Sequence, residues 1–521
     1  MTKDSCSNYF SAAKYSLPAR LDNLRRGVCF KPFLVDNTKK SATINKTTIK
    51  GVTMKRTWRF WVALWTAKII TMALLVTGRK GTTLPGKIAS WIDPQIMRHL
   101  SVVYTDGIIM VTGTNGKTTT ANLLASILRE AGKDFAFNQA GANLVTGITG
   151  ALIQNTRWSG SARVSLALLE VDEATVPKFC EQVSPSLAIV TNFFRDQLDR
   201  YGELDTTVRM VKESLPKETV LVLNADDPLV AQFGTNRAET VYYGVERTPD
   251  SVSESQETRE ARFCPSCGTE LDYTLFHYGQ LGIFNCSGCG FHRPEPKVLA
   301  QNVRPEEGLL LFEVDVTSYT TALQGYYNLY NALAAITAAC QLGLKEGIIK
   351  EGLRKFIPQA GRMERFYIPE GEITLTLVKN PTGFDQVIQT MLGVDKPLRI
   401  LIGINDLAAD GRDISWLWDV NFERLGMPEA RIHQVICTGL RAEDIALRLK
   451  YAGVSEGKLV LEHTLAGALD LLQTNRTEEE VAFILPTYTL LFPLREILEN
   501  RQKNAGLSHL KAKDRGEGAI T

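Results

Sequence analysis

A glycine-rich stretch between two apolar segments constrains the fold more than any other feature of this 521-residue chain. It reads VTGTNGKTTT over Val111–Thr120, after the apolar run GIIMVTG and before KTTTANLLASILREAG, whose apolar residues recur at helical spacing. Between a strand and a helix, such a stretch indicates a phosphate-binding loop, although its glycines are closer together than in the usual G-x-x-x-x-G-K-[ST] pattern. The alternative is a turn without a ligand. The predicted nucleotide-binding residues are Gly113, Thr114, Asn115, Gly116, Lys117, Thr118 and Thr119.

Each predicted role follows from the chemistry of the group. Backbone N–H groups and the helix N-terminus supply partial positive charge to the phosphates. Lys117 would reach the outer phosphates, and the Thr118 hydroxyl can hold Mg²⁺.

Short apolar segments that alternate with helical patterns predict an α/β fold with a mostly parallel, doubly wound sheet. A second α/β region, similar to a Rossmann domain, begins near Ile368. The predicted organisation is a basic extension (1–56), an apolar helix with a linker (57–100), an ATP-binding domain (101–358) with an inserted cysteine module (261–295), and a C-terminal α/β domain (359–510).

Composition narrows the function. There are 59 basic and 57 acidic residues, for a net charge of +2, so the balance does not favour nucleic-acid binding. Nine cysteines occur, four of them in one cluster. This pattern is unlike a secreted disulfide framework and indicates a reducing, cytosolic compartment.

The N-terminal part differs from the rest. Residues 1–56 carry twelve Lys or Arg residues against three Asp, which fits a disordered tail, an unused start upstream of Met54, or a transit peptide. The run FWVALWTAKIITMALLV (60–76) is interrupted by Lys68. It predicts a buried or interfacial helix rather than a membrane span, and its tryptophans suit either a membrane surface or a neighbouring domain.

Four cysteines have the spacing C-x₂-C-x₁₈-C-x₂-C. Cys264, Cys267, Cys286 and Cys289 therefore predict a zinc ribbon, in which four thiolates close the coordination shell and make the site structural. Between the two pairs His277 is the one possible cation, beside Glu270 and Asp272, which argues against phosphate contact. The scattered Cys180, Cys340 and Cys437 lie in apolar contexts and are predicted to be core residues.

Several motifs together resemble the Mur ligase superfamily of ATP-dependent ligases. LLEVDE places Glu170 where that family keeps a Mg²⁺-binding glutamate. The other matching stretches are TNFFRDQLDRYGE, LNADDP, YYNLYNALAA and GRMERF. The resemblance implies that Asn224 contacts the nucleotide, that Asn328 and Asn331 lie near adenine, and that Arg362 touches the ATP phosphates.

Two positions concern the family's second metal site. Gln197 stands where many relatives carry a metal-binding histidine, so that bond is unavailable. Lys212 has about the spacing of the family's carbamylated lysine, but an ordinary surface lysine is the favoured interpretation.

A Mur-like domain with an inserted Cys₄ ribbon resembles, within that superfamily, the ligase-like subunits of lipid II isoglutaminyl synthase. The resemblance covers about residues 57–506. It implies ATP-dependent amidation of the D-glutamate α-carboxylate in the lipid II stem, at the inner face of the membrane. The segment VKNPTGFDQVI would close over the acyl-phosphate in place of an amino-acid pocket. The ammonia would come from a GatD-type glutamine amidotransferase, because no convincing Cys–His pair is visible in the chain.

The acidic stretch NDLAADGRDISWLWD contains the last candidate. By resemblance, Asp413 would complete the partner's Cys–His pair in trans; the alternative for each aspartate of this loop is a solvated turn former. Trp416 and Trp418 fit interface or core equally. Two other functions compete: a stand-alone amino-acid ligase of the Mur or folylpolyglutamate type, which Gln197 and KNPTGF argue against, and a nucleic-acid-binding ATPase, which the charge balance argues against.

Overall fold

A computed structural model describes residues 56–77, 83–138, 142–195, 203–237, 239–255, 259–306, 309–358, 360–477 and 479–506. The predictions for residues 1–55 and Gln197 fall outside these ranges. The helices are α1 (Trp58–Val76), α2 (Leu84–Ile92), α3 (Ile96–Ser101), α4 (Lys117–Glu130), α5 (Val145–Gln154), α6 (Val176–Cys180), α7 (Leu204–Ser214), α8 (Pro228–Ala231), α9 (Tyr326–Gln341), α10 (Glu346–Arg354), α11 (Pro381–Leu392), α12 (Glu423–Gly426), α13 (Ala442–Tyr451), α14 (Leu465–Gln473) and α15 (Tyr488–Asn504).

The strands form two large sheets and one hairpin. They are β1 (Gly107–Thr112), β2 (Phe135–Phe137), β3 (Leu166–Glu170), β4 (Leu187–Val190), β5 (Val220–Asn224), β6 (Thr240–Val245), β7 (Asp272–Tyr278), β8 (Leu281–Asn285), β9 (Val298–Glu306), β10 (Leu309–Val314), β11 (Thr317–Thr321), β12 (Glu364–Ile368), β13 (Gly371–Leu375), β14 (Leu398–Gly403), β15 (Ile432–Thr438), β16 (Leu459–Leu461) and β17 (Val481–Pro486).

The central sheet has the order β11-β10-β9-β6-β5-β4-β1-β3-β2. It is parallel from β2 to β9, and β10 and β11 extend it in antiparallel fashion. Helices cover both faces, because alternate residues of the buried strands enter different cores: Ile109 and Val111 pack with α4 and α9, whereas Ile108 and Met110 pack with α1 and α5. The predicted doubly wound sheet is confirmed.

The C-terminal sheet has the order β12-β13-β17-β14-β15-β16 and is parallel except for the edge strand β12. Helices α11 and α13 contribute to the core on one face, and α14 and α15 to the core on the other. The predicted second α/β domain is therefore confirmed as a fold class.

Part of the linker predicted within residues 57–100 is helical, because Pro85 and Gly86 lie inside α2. Proline is tolerated in the first turn of a helix, where its missing N–H has no partner. A Cβ on Gly86 would lie 1.9 Å from the carbonyl oxygen of Thr146. Glycine at this position therefore permits the close contact between α2 and α5.

Candidate active site

A cavity of about 300 Å³ lies where the carboxyl ends of the central and C-terminal sheets meet. Ligands of open α/β sheets bind at this end of the strands. One wall is the loop between β1 and α4 with the end of β3, and the opposite wall is the segment that leads from β13 into α11. The predicted site residues that line it are Thr114, Asn115, Gly116, Lys117, Thr118, Thr119, Glu170, Asn331 and Arg362.

The phosphate loop is held in place by the residues that follow β4. The backbone N–H of Asn115 donates to Asn192 Oδ1 at 2.9 Å, and Thr191 Oγ1 donates to the Asn115 carbonyl at 2.7 Å. Gly116 has a φ angle of +85°, and a Cβ there would lie 2.0 Å from Asn331 Oδ1. A side chain would thus clash with α9, which explains the second glycine of the motif.

Lys117 points into a buried acidic group. Its Nζ donates to Glu173 Oε2 at 2.7 Å and to the Gly113 carbonyl at 2.6 Å. Burial acts to lower the pKa of Lys117, but the carboxylates of Glu173 and Asp172 outweigh it and the pKa is raised. Lys117 therefore stays protonated in the cavity wall, as a group that binds phosphate must.

Thr118 and Glu170 provide oxygen atoms at the same point of the cavity. Thr118 Oγ1 donates to Glu170 Oε1 at 3.0 Å, and Asn143 Nδ2 donates to that same oxygen at 3.0 Å. Hard oxygen ligands on a carboxylate and a hydroxyl fit Mg²⁺. Arg362 lines the cavity as well, and burial lowers the pKa of its guanidinium.

The C-terminal domain contacts the phosphate loop directly. Asn380 Nδ2 donates to Asn115 Oδ1 at 2.9 Å, and Lys379 Nζ donates to the Thr114 carbonyl at 3.4 Å. Asn380 is also the N-cap of α11, since its Oδ1 accepts from Gly383 N at 2.9 Å. The segment KNPTG therefore lies against the loop, as expected for a segment that closes over a phosphorylated substrate.

Four other predicted residues lie outside the cavity lining: Gly113, whose carbonyl accepts from Lys117, and Asn328, Asn224 and Lys212. Asn328 supports Asn331, whose Nδ2 donates to Asn328 Oδ1 at 3.0 Å. Asn224 is fully buried at the end of β5, and its Oδ1 accepts from Asp226 N at 3.0 Å. Lys212 donates to Gln232 Oε1 at 3.0 Å. The structure does not bring Asn224 or Lys212 to the cavity.

Sequence reasoning missed Glu173, Asp172 and Asn143. The two acidic residues stand in LLEVDE beside Glu170, so the signal was present. Asp172 caps the turn Glu173–Thr175 by accepting from Ala174 N at 3.2 Å, and this turn directs Glu173 toward Lys117. No pattern in the sequence distinguishes Asn143.

The aspartates of the acidic loop after β14 differ in their partners. Asp406 pairs with Arg441, Asp410 accepts from Thr489, and Asp419 pairs with Arg195. Within the described part of the chain, the one hydrogen bond of the Asp413 side chain is to Ser415 N, at 2.8 Å. Asp413 therefore keeps a carboxylate oxygen available to an outside group.

The two tryptophans of this loop have different environments. Trp416 is buried and packs against Phe384 with a centroid distance of 6.4 Å, so it is a core aromatic. Trp418 is exposed beside Tyr451. Of the cysteines predicted to be core, Cys437 is buried and Cys180 is half-buried. The prediction is wrong for Cys340, which is exposed because it lies on the last turn of α9.

The four clustered cysteines form a candidate metal centre. Their Sγ atoms all lie within 4.8 Å of one another, with 3.6 Å between Cys264 and Cys289 and 3.5 Å between Cys267 and Cys286. Four thiolates at Zn–S distances of about 2.3 Å around one ion require similar separations. Each pair sits in the same turn, since Gly268 N donates to the Cys264 carbonyl and Gly290 N to the Cys286 carbonyl. The geometry fits a tetrahedral ion.

The metal centre is attached to the nucleotide domain through Asp226. Arg293, which follows the last cysteine turn, donates to Asp226 Oδ1 at 2.5 Å. Tyr330 on α9 donates its hydroxyl to Asp226 Oδ2 at 2.8 Å. Tyr330 precedes Asn331, so one buried carboxylate joins the ribbon to the helix that contacts the phosphate loop.

Comparison with known proteins supports the fold described above and identifies relatives of this chain. A Mur ligase middle-domain model matches residues 111–289, and a MurT ligase C-terminal model matches residues 377–491. The MurT subunit of lipid II isoglutaminyl synthase (glutamine-hydrolyzing) from Staphylococcus aureus (strain COL) is 37% identical over 455 residues, 86% of this chain and 100% of that protein. The MurT subunit from Streptococcus pneumoniae (strain ATCC BAA-255 / R6) is 36% identical over 81% of this chain and 93% of its own length. The solved structure of a pseudomurein peptide ligase type C from Methanothermus fervidus has a TM-score of 0.57 at 24% identity, over 75% of this chain and 78% of that one.

The fold and the cavity define a ligase of the Mur superfamily, whose members are ATP-dependent carbon–nitrogen ligases. Within that superfamily, the MurT proteins match this chain over most of its length at 36–37% identity. The chain belongs to the MurT family.

Proposed function

We propose that this chain is the ligase subunit of a lipid II isoglutaminyl synthase, and that it amidates the α-carboxylate of D-glutamate in the lipid II peptide stem. The observation that carries the proposal is the cavity in which Lys117, Thr118 and Glu170 lie opposite Lys379 and Asn380. One wall has the groups that bind a nucleoside triphosphate. The other is formed by the segment KNPTG, which by resemblance stands in place of the amino-acid pocket of a stand-alone ligase. The names of the MurT relatives support the same substrate.

The reaction requires activation because a carboxylate oxygen is too poor a leaving group for attack by ammonia. A carboxylate oxygen of D-glutamate attacks the γ-phosphorus of ATP, ADP leaves, and an acyl-phosphate forms. Ammonia then attacks the acyl carbon, the carbon–oxygen bond breaks, phosphate leaves and the amide of D-isoglutamine remains. Lys117 and Arg362 neutralise charge on the transferring phosphoryl group, and backbone N–H groups of the loop hold its oxygens.

Thr118 and Glu170 would hold Mg²⁺, which when bound neutralises phosphate charge. Asn115 and Asn380 position the loop and keep the C-terminal segment over it, which excludes water from the reacting groups. Asn331 supports the loop from α9, and with Asn328 it is the proposed contact for the adenine end of the nucleotide.

Ammonia would be supplied by a GatD-type glutamine amidotransferase in a heterodimer. The three cysteines described outside the ribbon support this division of labour. Burial raises the pKa of both Cys180 and Cys437 to about 12, and desolvation also raises the pKa of Cys340. A thiol with so high a pKa is not a nucleophile at neutral pH. Asp413 is the proposed contribution to the partner's Cys–His pair.

The ribbon ion is proposed to be zinc with a structural role, since four thiolates leave no position for water. The proposed boundaries are 57–100 for the N-terminal helices, 101–358 for the ATP-binding domain with its ribbon at 261–295, and 359–510 for the C-terminal domain. We also propose that the chain acts in the cytoplasm, at the inner face of the membrane that contains its substrate.

The deciding experiment measures amide formation on lipid II with ATP. The purified chain is assayed with ammonium alone, with glutamine alone, and with glutamine plus a GatD-type subunit. Product with ammonium alone and with glutamine only when the partner is present is the expected result. Turnover that instead requires a free amino acid would identify a stand-alone ligase and refute the proposal.

A further inference from the structure

Helix α1 is apolar on its outer face as well as on the face packed against the domain, whereas a helix on the surface of a soluble domain usually has a polar outer face. The residues of its outer face recur at intervals of four and three, and they are between 41% and 88% exposed. Together they form the α1 stripe: Trp58, Val62, Trp65, Ile69, Met72 and Val76. By length and composition, α1 is also the one described helix that could cross a membrane.

The charge inside this apolar run points away from the stripe. Lys68 is buried, and its Nζ donates to the carbonyl of Ile153 on α5 at 3.0 Å. The opposite face of α1 therefore carries the lysine together with Phe60 and Leu64, packed on the domain. Burying a lysine costs free energy unless it is paired. The arrangement removes charge from the outer face.

Trp158 extends the stripe from a neighbouring loop. Its carbonyl accepts from Trp65 Nε1 at 3.1 Å, and its half-exposed ring lies 5.8 Å from Lys68 Nζ. Tryptophans of this kind are favoured where an apolar phase meets water, because the ring is apolar and the N–H can find a partner.

The sequence that contains α1 carries charge of one sign. Residues 37–92 contain eleven Lys or Arg and no Asp or Glu. Arg56 and Arg59 lie at the start of α1, with the Arg59 guanidinium 5.9 Å from the ring of Trp58. A segment of this charge attracts an anionic partner, whereas a second copy of this chain would bring like charges together.

We propose that helix α1 lies in the plane of an anionic lipid bilayer, with the α1 stripe inserted below the headgroups and the basic residues among them. An in-plane position follows from the packing of Phe60, Leu64 and Lys68 on the domain, which a membrane-spanning helix could not keep. This inference rests on the proposed function in one respect: the lipid-linked substrate would lie in the membrane that α1 contacts.

The test uses the full chain without nucleotide, partner or lipid II, so that its outcome is independent of ligase activity. Flotation is measured with vesicles of phosphatidylcholine containing phosphatidylglycerol, and with phosphatidylcholine alone. The variant W58S/I69S/M72S changes three exposed stripe residues, and W418S/M427S/L461S changes three apolar residues on the C-terminal domain that are 50–55% exposed. We expect anionic vesicles to bind the wild type and the control variant equally, and the stripe variant at least tenfold more weakly.

Other outcomes overturn the proposal. Wild-type protein that stays with the soluble fraction at low salt, or a stripe variant that floats like the wild type, contradicts insertion. A concentration-dependent dimer that the stripe variant abolishes would assign the stripe to a second copy. Loss of binding to the glutamine amidotransferase by the stripe variant, measured in a separate binding assay, would assign the stripe to a protein interface. Amide formation in the presence of detergent-solubilised lipid II, assayed separately, shows whether the proposed function stands without the membrane contact.

Discussion

Asn380 donates its side-chain amide to Asn115 Oδ1 at 2.9 Å, and this bond joins the C-terminal domain to the phosphate loop. The same residue caps α11 through its Oδ1. Two functions of one side chain can be separated by substitution, because serine also caps helices but lacks the amide donor.

We expect Asn380→Ser to keep the thermal stability of the wild type and to lower ammonia-driven amide formation about tenfold, which corresponds to about 1.4 kcal/mol. Asn380→Ala should lose the same activity and also about 1 kcal/mol of stability, because the cap is gone. Calorimetry and steady-state kinetics on both variants check this. Full activity in the serine variant would show that closure does not depend on the bond.

The Lys117–Glu173 pair predicts an effect of Lys117→Ala that has two separable parts. Removal of the lysine leaves a buried carboxylate unpaired, which costs about 3–5 kcal/mol of stability. Addition of Glu173→Gln should restore much of that stability without restoring ATP binding, because the cation is still missing. Melting temperatures and ATP titrations of the single and double variants distinguish the two. ATP affinity equal to wild type in Lys117→Ala would refute the role of the loop.

Asp413→Asn should abolish glutamine-driven amidation by the complex and leave ammonia-driven turnover at the wild-type level. An amide has no negative charge to stabilise the imidazolium cation, and its NH₂ group can donate to the ring and hold the wrong tautomer. Asp406→Asn is the matched control, since Asp406 is already paired with Arg441 in the same loop. Glutamine use that survives in Asp413→Asn would show that the residue is a turn former.

Metal removal is expected to act on folding rather than on chemistry. Chelation should lower the melting temperature and release one equivalent of zinc, measured by a colorimetric dye. Cys264→Ser should also lower the melting temperature, and the purified variant should contain less zinc than the wild type. The ribbon core contains Cys264 and Cys286 with Leu271 and Phe284, so loss of the ion exposes that small cluster. A chelated protein with an unchanged melting temperature would contradict a structural ion.

His277 predicts a dependence of stability on pH. Burial lowers its pKa below the usual value, although Asp226 acts in the opposite direction. The unfolded chain therefore binds a proton on His277 more readily than the folded protein does. The free energy of unfolding is thus highest above about pH 6.5 and decreases as the pH falls below that value. The free energy of unfolding, measured with urea between pH 5 and 8, should depend on pH less steeply in His277→Gln than in the wild type. The difference in slope is at most about 1.4 kcal/mol per pH unit.

The elements that the sequence predicted are those with a strong local pattern. The strands β1, β3, β4 and β5 are continuous apolar runs, and α4 and α9 have helical spacing, so burial alone identifies them. The cysteine spacing identified the ribbon in the same way. Strands β9 to β11 were missed because their polar and apolar residues alternate at an edge of the sheet, where a surface loop has similar composition.

Long-range pairs account for the rest of the site. Lys117 and Glu173 are 56 residues apart, and Asn115 and Asn380 are 265 residues apart. Neither pair leaves a periodic signal, because each depends on how two elements meet in space. Motif resemblance located Glu170, Arg362 and the segment KNPTG. It could not predict that Asn143 bonds to Glu170 or that Asn380 bonds to Asn115.

The ribbon occupies the connection between β6 and β9, two adjacent parallel strands of the central sheet. In most α/β proteins a helix makes that connection and folds from the chain alone. Here the chain reaches β9 through the ribbon, which by our proposal needs an ion to fold. Zinc supply would then set how many molecules of this ligase a cell can assemble, and not the turnover rate of each finished molecule.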